Sequence, residues 1–298
     1  MKAGFSSFCF KPLLLEGSMD VPAMFRWIAE QGATHLEIAT LTFTPKGRDS
    51  AWELTDEPEL LAALVAGAQE TGVEISGICI PADFTSEDAD ERAAQLARAK
   101  RAVDTCARLG ARYFRHDVTE WARKEADYAE FEALFPRIAE LSQALADHAA
   151  PLGVTTSVEN HGFFMNGSER VLRLIAAVDR PNFGATIDVG NFLCVDEEAL
   201  IGTRRLASAA SFVHLKDFHV RRNAIGRGPG WLRTQFGQEI CGSVIGYGDL
   251  PLVDIVAALR AAGYDGYVSL EFEGNEPVLF GCETGFRNMG RILAERFA

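Results

Sequence analysis

The sequence predicts a single α/β domain, residues 1–298, folded as a (β/α)8 TIM barrel. Three observations predict it. Short β-rich runs alternate with longer helical patterns from one end to the other, which implies parallel strands joined by helical crossovers. Eight such units fit one domain's length, and barrels of this kind commonly run to about 250 residues. Helical patterns end repeatedly in glycine (Gly32, Gly72, Gly110, Gly153 and Gly263) shortly before the next β-rich run. Such punctuation is the signature of helix C-caps.

Taken in order, the strands are expected at 3–10, 35–38, 74–80, 112–116, 154–159, 183–188, 212–216 and 267–271. The helices are expected at 21–31, 59–71, 87–109, 128–150, 168–177, 197–207, 252–262 and 283–297. No GxGxxG follows the first strand, which argues against a dinucleotide-binding doubly wound sheet. Two connections, 39–57 and 218–249, are too long for plain turns. Both follow strands and so fall on the face where barrel enzymes carry their active sites. The second holds seven glycines together with Arg221, Arg222, Arg227 and Arg233.

Composition narrows the partners. Hydrophobic residues make up 48% and charged residues 24%, which suits one large ordered core. A net charge of −13 repels phosphate backbones and anionic lipid, so neither nucleic acid nor a membrane is an expected partner. A small molecule fits better, and a homo-oligomer is compatible with the sequence. Six scattered cysteines without a C-x-x-C pair read as reduced thiols of a cytoplasmic protein. Lys11 and Pro12 interrupt the N-terminal apolar run, which therefore reads as a strand rather than a leader. No apolar stretch approaches the ~18 residues that span a bilayer.

The chemistry concentrates at four strand ends: TTSVE with Glu159, GATID with Asp188, SFVH with His214 and VSLE with Glu271. The gaps of 29, 26 and 57 residues correspond to one strand–helix unit, one unit, and one unit plus the long connection. Strand alternation sharpens the reading. If these four point inward, Val158, Ile187, Val213 and Leu270 point outward to the helices. Three carboxylates and an imidazole converging on one point would repel one another without a cation. The set therefore reads as ligands of one divalent metal ion.

The segments SVENHG, TIDVGN, VHLKD and VSLEFEG, with GATHLEIA in the second strand, resemble the xylose-isomerase-like superfamily of sugar epimerases, isomerases and inosose dehydratases. The resemblance implies one manganese, magnesium, cobalt or zinc ion on Glu159, Asp188, His214 and Glu271. It also implies that Glu159 and Glu271 exchange the substrate proton from opposite faces, as catalytic residues of a sugar isomerase or epimerase. A dehydratase or lyase of the inosose dehydratase type shares the first half of that reaction and is the alternative. A non-catalytic sugar-binding barrel would not need both glutamates. Asn191 stands where sugar epimerases often carry histidine. The zinc endonuclease branch would need further histidines, and only His116, His161 and His219 are candidates.

Substrate-binding candidates are Glu37, His161, Asn191, Lys216, Arg221 and Arg222. Glu37 and Lys216 share the inward parity of the ligand set. The two arginines are expected to hold a distal substrate group. Trp52 and Trp231, each on a long connection, are expected to wall an apolar pocket.

Overall fold

A computed structural model describes residues 1–45, 52–123, 128–223 and 225–295. Eight parallel strands close into a barrel: β1 (Lys2–Ser6), β2 (His35–Ala39), β3 (Glu74–Ile80), β4 (Tyr113–His116), β5 (Thr155–Glu159), β6 (Phe183–Asp188), β7 (Ala210–Leu215) and, after the long connection, Tyr267–Leu270. That last strand pairs with β1 on one side and β7 on the other, which completes the ring. The helices α1 (Lys11–Leu15), α2 (Val21–Glu30), α3 (Pro58–Thr71), α4 (Ala89–Arg108), α5 (Tyr128–Ala149), α6 (Ser168–Val178), α7 (Ala199–Leu206), α8 (Leu252–Ala261) and α9 (Val278–Ala294) accompany the strands. No helix among the described residues is long and apolar enough to cross a membrane.

Local chemistry accounts for many of the boundaries. Asp20 accepts a hydrogen bond from the amide of Ala23 at the start of α2, and Asp88 caps α4 in the same way. The five glycines expected after helices all take positive φ, between 67° and 84°, a conformation that other L-residues adopt at a cost. The outward faces of the strands carry Leu36, Phe114, Val158, Ile187, Val213 and Leu270, all buried in the apolar layer beneath the helices.

Four expectations need correction. The first strand ends at Ser6 rather than residue 10, because the Ser6 hydroxyl accepts from the amide of Phe8 and starts a 3-10 turn over Ser7–Phe10. The last helix begins at Val278, earlier than expected. Glycine lowers helix propensity at Gly281, yet here its missing side chain admits the Phe272 ring, which would lie 2.3 Å from a Cβ. The seventh strand spans Ala210–Leu215, which leaves Lys216 just beyond it. The long connection after it is not irregular: β8 (Asp217–Arg221), β9 (Trp231–Arg233) and β10 (Glu239–Ser243) form an antiparallel sheet in the order β8-β10-β9. The barrel-closing strand Tyr267–Leu270 is therefore β11. Of the other long connection, residues 46–51 lie outside the described residues.

The six cysteines are free, and all but Cys79 are buried. Inside the barrel, Tyr113, Phe212, Tyr267 and the His35 ring pack edge-to-face and stacked at centroid separations of 4.7–6.0 Å. This layer plugs the barrel toward the strand starts, so the other end is left to form a site.

Candidate active site

Glu159 and Asp188 are the last residues of β5 and β6, His214 is next to last in β7, and Glu271 follows β11. Register sets Asp188 directly beside His214, and Glu159 beside Thr186, two residues before Asp188 on the same strand face. One ligand atom from each of Glu159, Asp188 and His214 lies within 4.8 Å of the others, all three residues being buried. His214 Nδ1 is 3.6 Å from Glu159 Oε1 and 3.8 Å from Asp188 Oδ2.

The surroundings orient these atoms. His214 Nε2 is 2.7 Å from Glu37 Oε2, so the carboxylate accepts a hydrogen bond from Nε2–H and turns Nδ1 toward the cluster. Asp188 Oδ1 accepts hydrogen bonds from the amides of Gly190 and Asn191, both at 2.9 Å. A Cβ at Gly190 would fall 2.6 Å from Lys216 Cγ and from the Phe218 ring, so this turn requires glycine. What remains is His214 Nδ1, buried and without a hydrogen-bond partner, facing Asp188 Oδ2, whose ion-pair partner is the Lys216 ammonium at 3.1 Å. Buried polar atoms are rarely left so, and an imidazole nitrogen facing two carboxylates suits a divalent cation.

Glu271 stands apart from this trio. Its Oε2 is 2.6 Å from Lys216 Nζ, which also lies 3.1 Å from Asp188 Oδ2 and 3.3 Å from Glu273 Oε2. On the other side, Arg115 Nε is 2.6 Å from Glu159 Oε2, and its Nη2 donates to Asp117 Oδ1 at 2.7 Å. Lys216 and Arg115 thus carry part of the charge compensation that the sequence assigns to a metal ion alone.

The fields follow from these contacts. Burial pushes the Asp188 carboxyl up to about 7 against the attraction of Lys216, and the Glu159 and Glu271 charges add to the rise. Burial opposes ionisation of Glu159 too, but Arg115 and His214 hold its carboxyl well below the usual range. Glu271 is likewise lowered, because Lys216 and His214 outweigh its burial. His214 is raised despite burial by Glu37 and Glu159. A ligating imidazole must be neutral, so cation binding and protonation compete there.

Glu159 and His214 of the trio lie on the floor of a cavity of about 450 Å³ that also meets His161, Asn191, Lys216, Glu271 and Glu273, while Asp188 is buried behind them. Asn191 donates to Glu159 Oε1 at 2.9 Å. His161 Nδ1 is 2.9 Å from Asp117 Oδ1, which fixes the ring while its side chain stays 26% exposed to the cavity. Glu37 does not line the cavity; it lies beneath, against His214.

Arg221 and Arg222 are not brought to the cavity. Arg221 sits at the outer end of β8, paired with Asp249 Oδ2 at 2.9 Å, and with Arg222 borders a separate surface cleft. Trp52 is buried beside α4, donating to Glu57, and Trp231 carries the Arg227 guanidinium over its ring, so neither walls this pocket. His116 is buried against Phe84 and Phe114, and His219 lies on β8 outside the cavity. Sequence reasoning misses Arg115, Asp117 and Glu273. Arg115 carried a signal, since a charge at the inward position near the end of a strand is costly unless paired.

A parallel eight-stranded barrel with carboxylates and an imidazole at the strand ends defines the class, a (β/α)8 barrel with its candidate site at the C-terminal mouth. The family model of the xylose isomerase-like TIM barrel matches residues 25–288, and the chain belongs to that family. None of the curated proteins matches the chain in sequence. Among solved structures, D-psicose 3-epimerase of Clostridium cellulolyticum H10 with D-tagatose superposes with a TM-score of 0.71 at 18% identity, covering 99% of this chain and all of that one. L-ribulose 3-epimerase gives 0.71 at 15% identity over 98% and 95% of the two chains. The 3-keto-D-glucoside 4-epimerase of E. coli gives 0.68 at 15% identity over 98% of each. At such identities the likeness is one of fold.

Proposed function

We propose that the chain is a metal-dependent sugar isomerase or epimerase that moves a proton beside a substrate carbonyl. The observation that carries this reading is the convergence of one ligand atom each from Glu159, Asp188 and His214 within 4.8 Å, with His214 Nδ1 buried and without a hydrogen-bond partner. The sugar epimerases that share the fold support it. Glu159, Asp188 and His214 would hold one divalent ion, with Glu271 as the fourth expected ligand. The mixed oxygen and nitrogen donors suit manganese, cobalt or zinc better than magnesium, which prefers oxygen alone. When bound, the ion would supply positive charge to the carbonyl oxygen as negative charge develops there.

The rest falls to the protein. Glu159 and Glu271 are the two proton carriers, one to remove the proton and one to return it. Arg115 and Asn191 grip Glu159 and keep it ionised in place, and Lys216 does the same for Glu271. Return to the same carbon from the opposite face gives an epimer; return to the neighbouring carbon gives an isomer. A second reading, elimination of a β-substituent, draws support from His161, whose ring Asp117 holds at the cavity where it could serve a leaving oxygen.

Solvent-deuterium exchange into candidate ketoses, with metal content measured on the same protein, tests the proposal. Glu159→Gln and Glu271→Gln should each cut exchange by about 10²-fold or more. Full exchange in both variants, or a protein that binds none of the four metals, would overturn it. Products lacking a hydroxyl group would favour elimination.

A further inference from the structure

The cavity has walls of two kinds. Its floor is the charged cluster, whereas the sheet of β8, β9 and β10 contributes an apolar side. Antiparallel register pairs Leu232 with Ile240, Ile240 with Val220, and Gly242 with Phe218. Directly paired residues share a face and neighbours along a strand alternate, so Phe218, Ile240 and Leu232 lie on one face. All three line the cavity. The alternate residues His219, Cys241 and Trp231 are paired across the same strands and belong to the other face. The sheet is therefore amphipathic, with its apolar side toward the site.

The barrel contributes more apolar lining from Phe8, Leu41, Ile80, Pro81 and Trp121. Trp121 is 43% exposed, so it stands where the cavity meets solvent, with its ring edge-on to Phe163. The apolar wall starts at the floor itself, since Lys216 Nζ lies 5.9 Å from the Phe218 ring centroid. A free ketose carries a hydroxyl on almost every carbon, and hydroxyls pressed against such a wall would lose water without gaining a partner. The volume of about 450 Å³ falls in the range of sites that take drug-sized ligands.

We infer that the substrate is a glycoside whose sugar ring carries the carbonyl that the proposed proton transfer needs. Its sugar rests on the charged floor, and its aromatic aglycone packs on the Phe218–Ile240–Leu232 face with Trp121 at the rim. Aromatic rings suit this wall because Phe8, Phe218 and Trp121 offer the faces and edges that ring pairs prefer. The inference rests on the sugar-acting reading above and names the substrate class for the same site.

Isothermal titration of the full chain with phenyl β-D-glucoside and with methyl β-D-glucoside tests it without turnover. The phenyl glycoside should bind about tenfold tighter or more, the gain expected from burying one ring. Leu232→Asn and Trp121→Ala should each erode that ratio severalfold while the methyl glycoside binds as before. Trp121 is exposed enough that its variant is expected to fold, which a melting curve would check. Equal affinity for the two glycosides, binding of neither, or a preference that survives both substitutions overturns the inference. A phenyl preference lost in the variants, in a protein that exchanges no substrate proton, would support this inference and overturn the catalytic reading instead.

Discussion

The two ends of the barrel interior are built from the same strands, two residues apart, and they are chemically opposite. His35 and Glu37 lie on β2, Tyr113 and Arg115 on β4, Phe212 and His214 on β7. The first of each pair joins the aromatic plug and the second joins the charged floor. Alternation makes both inward-facing. Strand position alone decides which end each serves. The lower end spends its inward side chains on packing. The upper end spends them on charge that is costly to bury and is held by Arg115 and Lys216.

The largest expected effect of a single substitution on stability comes from breaking the plug. Phe212 is 1% exposed and contacts the rings of Tyr113, Tyr267, His35 and His214. Phe212→Ala should lower unfolding free energy by roughly 3–5 kcal/mol, as large-to-small changes in cores do. Glu159→Gln, at the other end, takes one of two carboxylates from the buried Arg115 guanidinium and should cost less than this, because Asp117 still pairs with it. Denaturant melts of both proteins compare the ends directly, and equal losses would show that the charged floor also carries stability.

Acid should weaken the molecule through histidines outside the floor. Burial pushes both His35 and His116 down to about 4 from the ordinary 6.5. Above pH 6.5 neither state is protonated at these rings, so they contribute no pH dependence. As pH falls toward 4 the unfolded chain takes protons that the folded chain refuses, and stability is lost. Two shifts of this size are worth roughly 3 kcal/mol each. Denaturant midpoints measured across that window should fall, then level below it. A flat profile would mean that these imidazoles find partners for a second proton.

The smallest effect sharpens the role of Glu37. Glu37→Gln removes the carboxylate that turns His214 Nδ1 toward Asp188 and Glu159, so manganese or zinc affinity should drop about 10–100-fold. Calorimetric titration of the metal-stripped protein would measure it. Unchanged affinity would mean that packing alone fixes the imidazole.

The expectation that Arg221 and Arg222 reach the substrate failed for a physical reason. Sequence placed them on a glycine-rich excursion starting at the site, but once that excursion pairs as a sheet, alternation and Asp249 take Arg221 to the surface. The same pairing, invisible in a stretch whose glycines obscure any strand pattern, turns Phe218, Ile240 and Leu232 into a wall. Arg115 was missed because a single charge in a short strand has no periodic signature.

The sequence by itself determined the barrel and the meeting of Glu159, Asp188 and His214 at its mouth, with Glu271, the fourth residue it placed there, drawn aside to Lys216. Period-two and helical patterns, glycine caps and unit spacing are local, and they repeat around the ring until only one closed arrangement satisfies them. Tertiary structure alone decided which charges pair across strands distant in sequence. Lys216 went to Asp188, Glu271 and Glu273, Arg115 to Glu159, and Glu37 to His214. Those choices depend on distances between inward side chains of separate strands, which no spacing along the chain encodes.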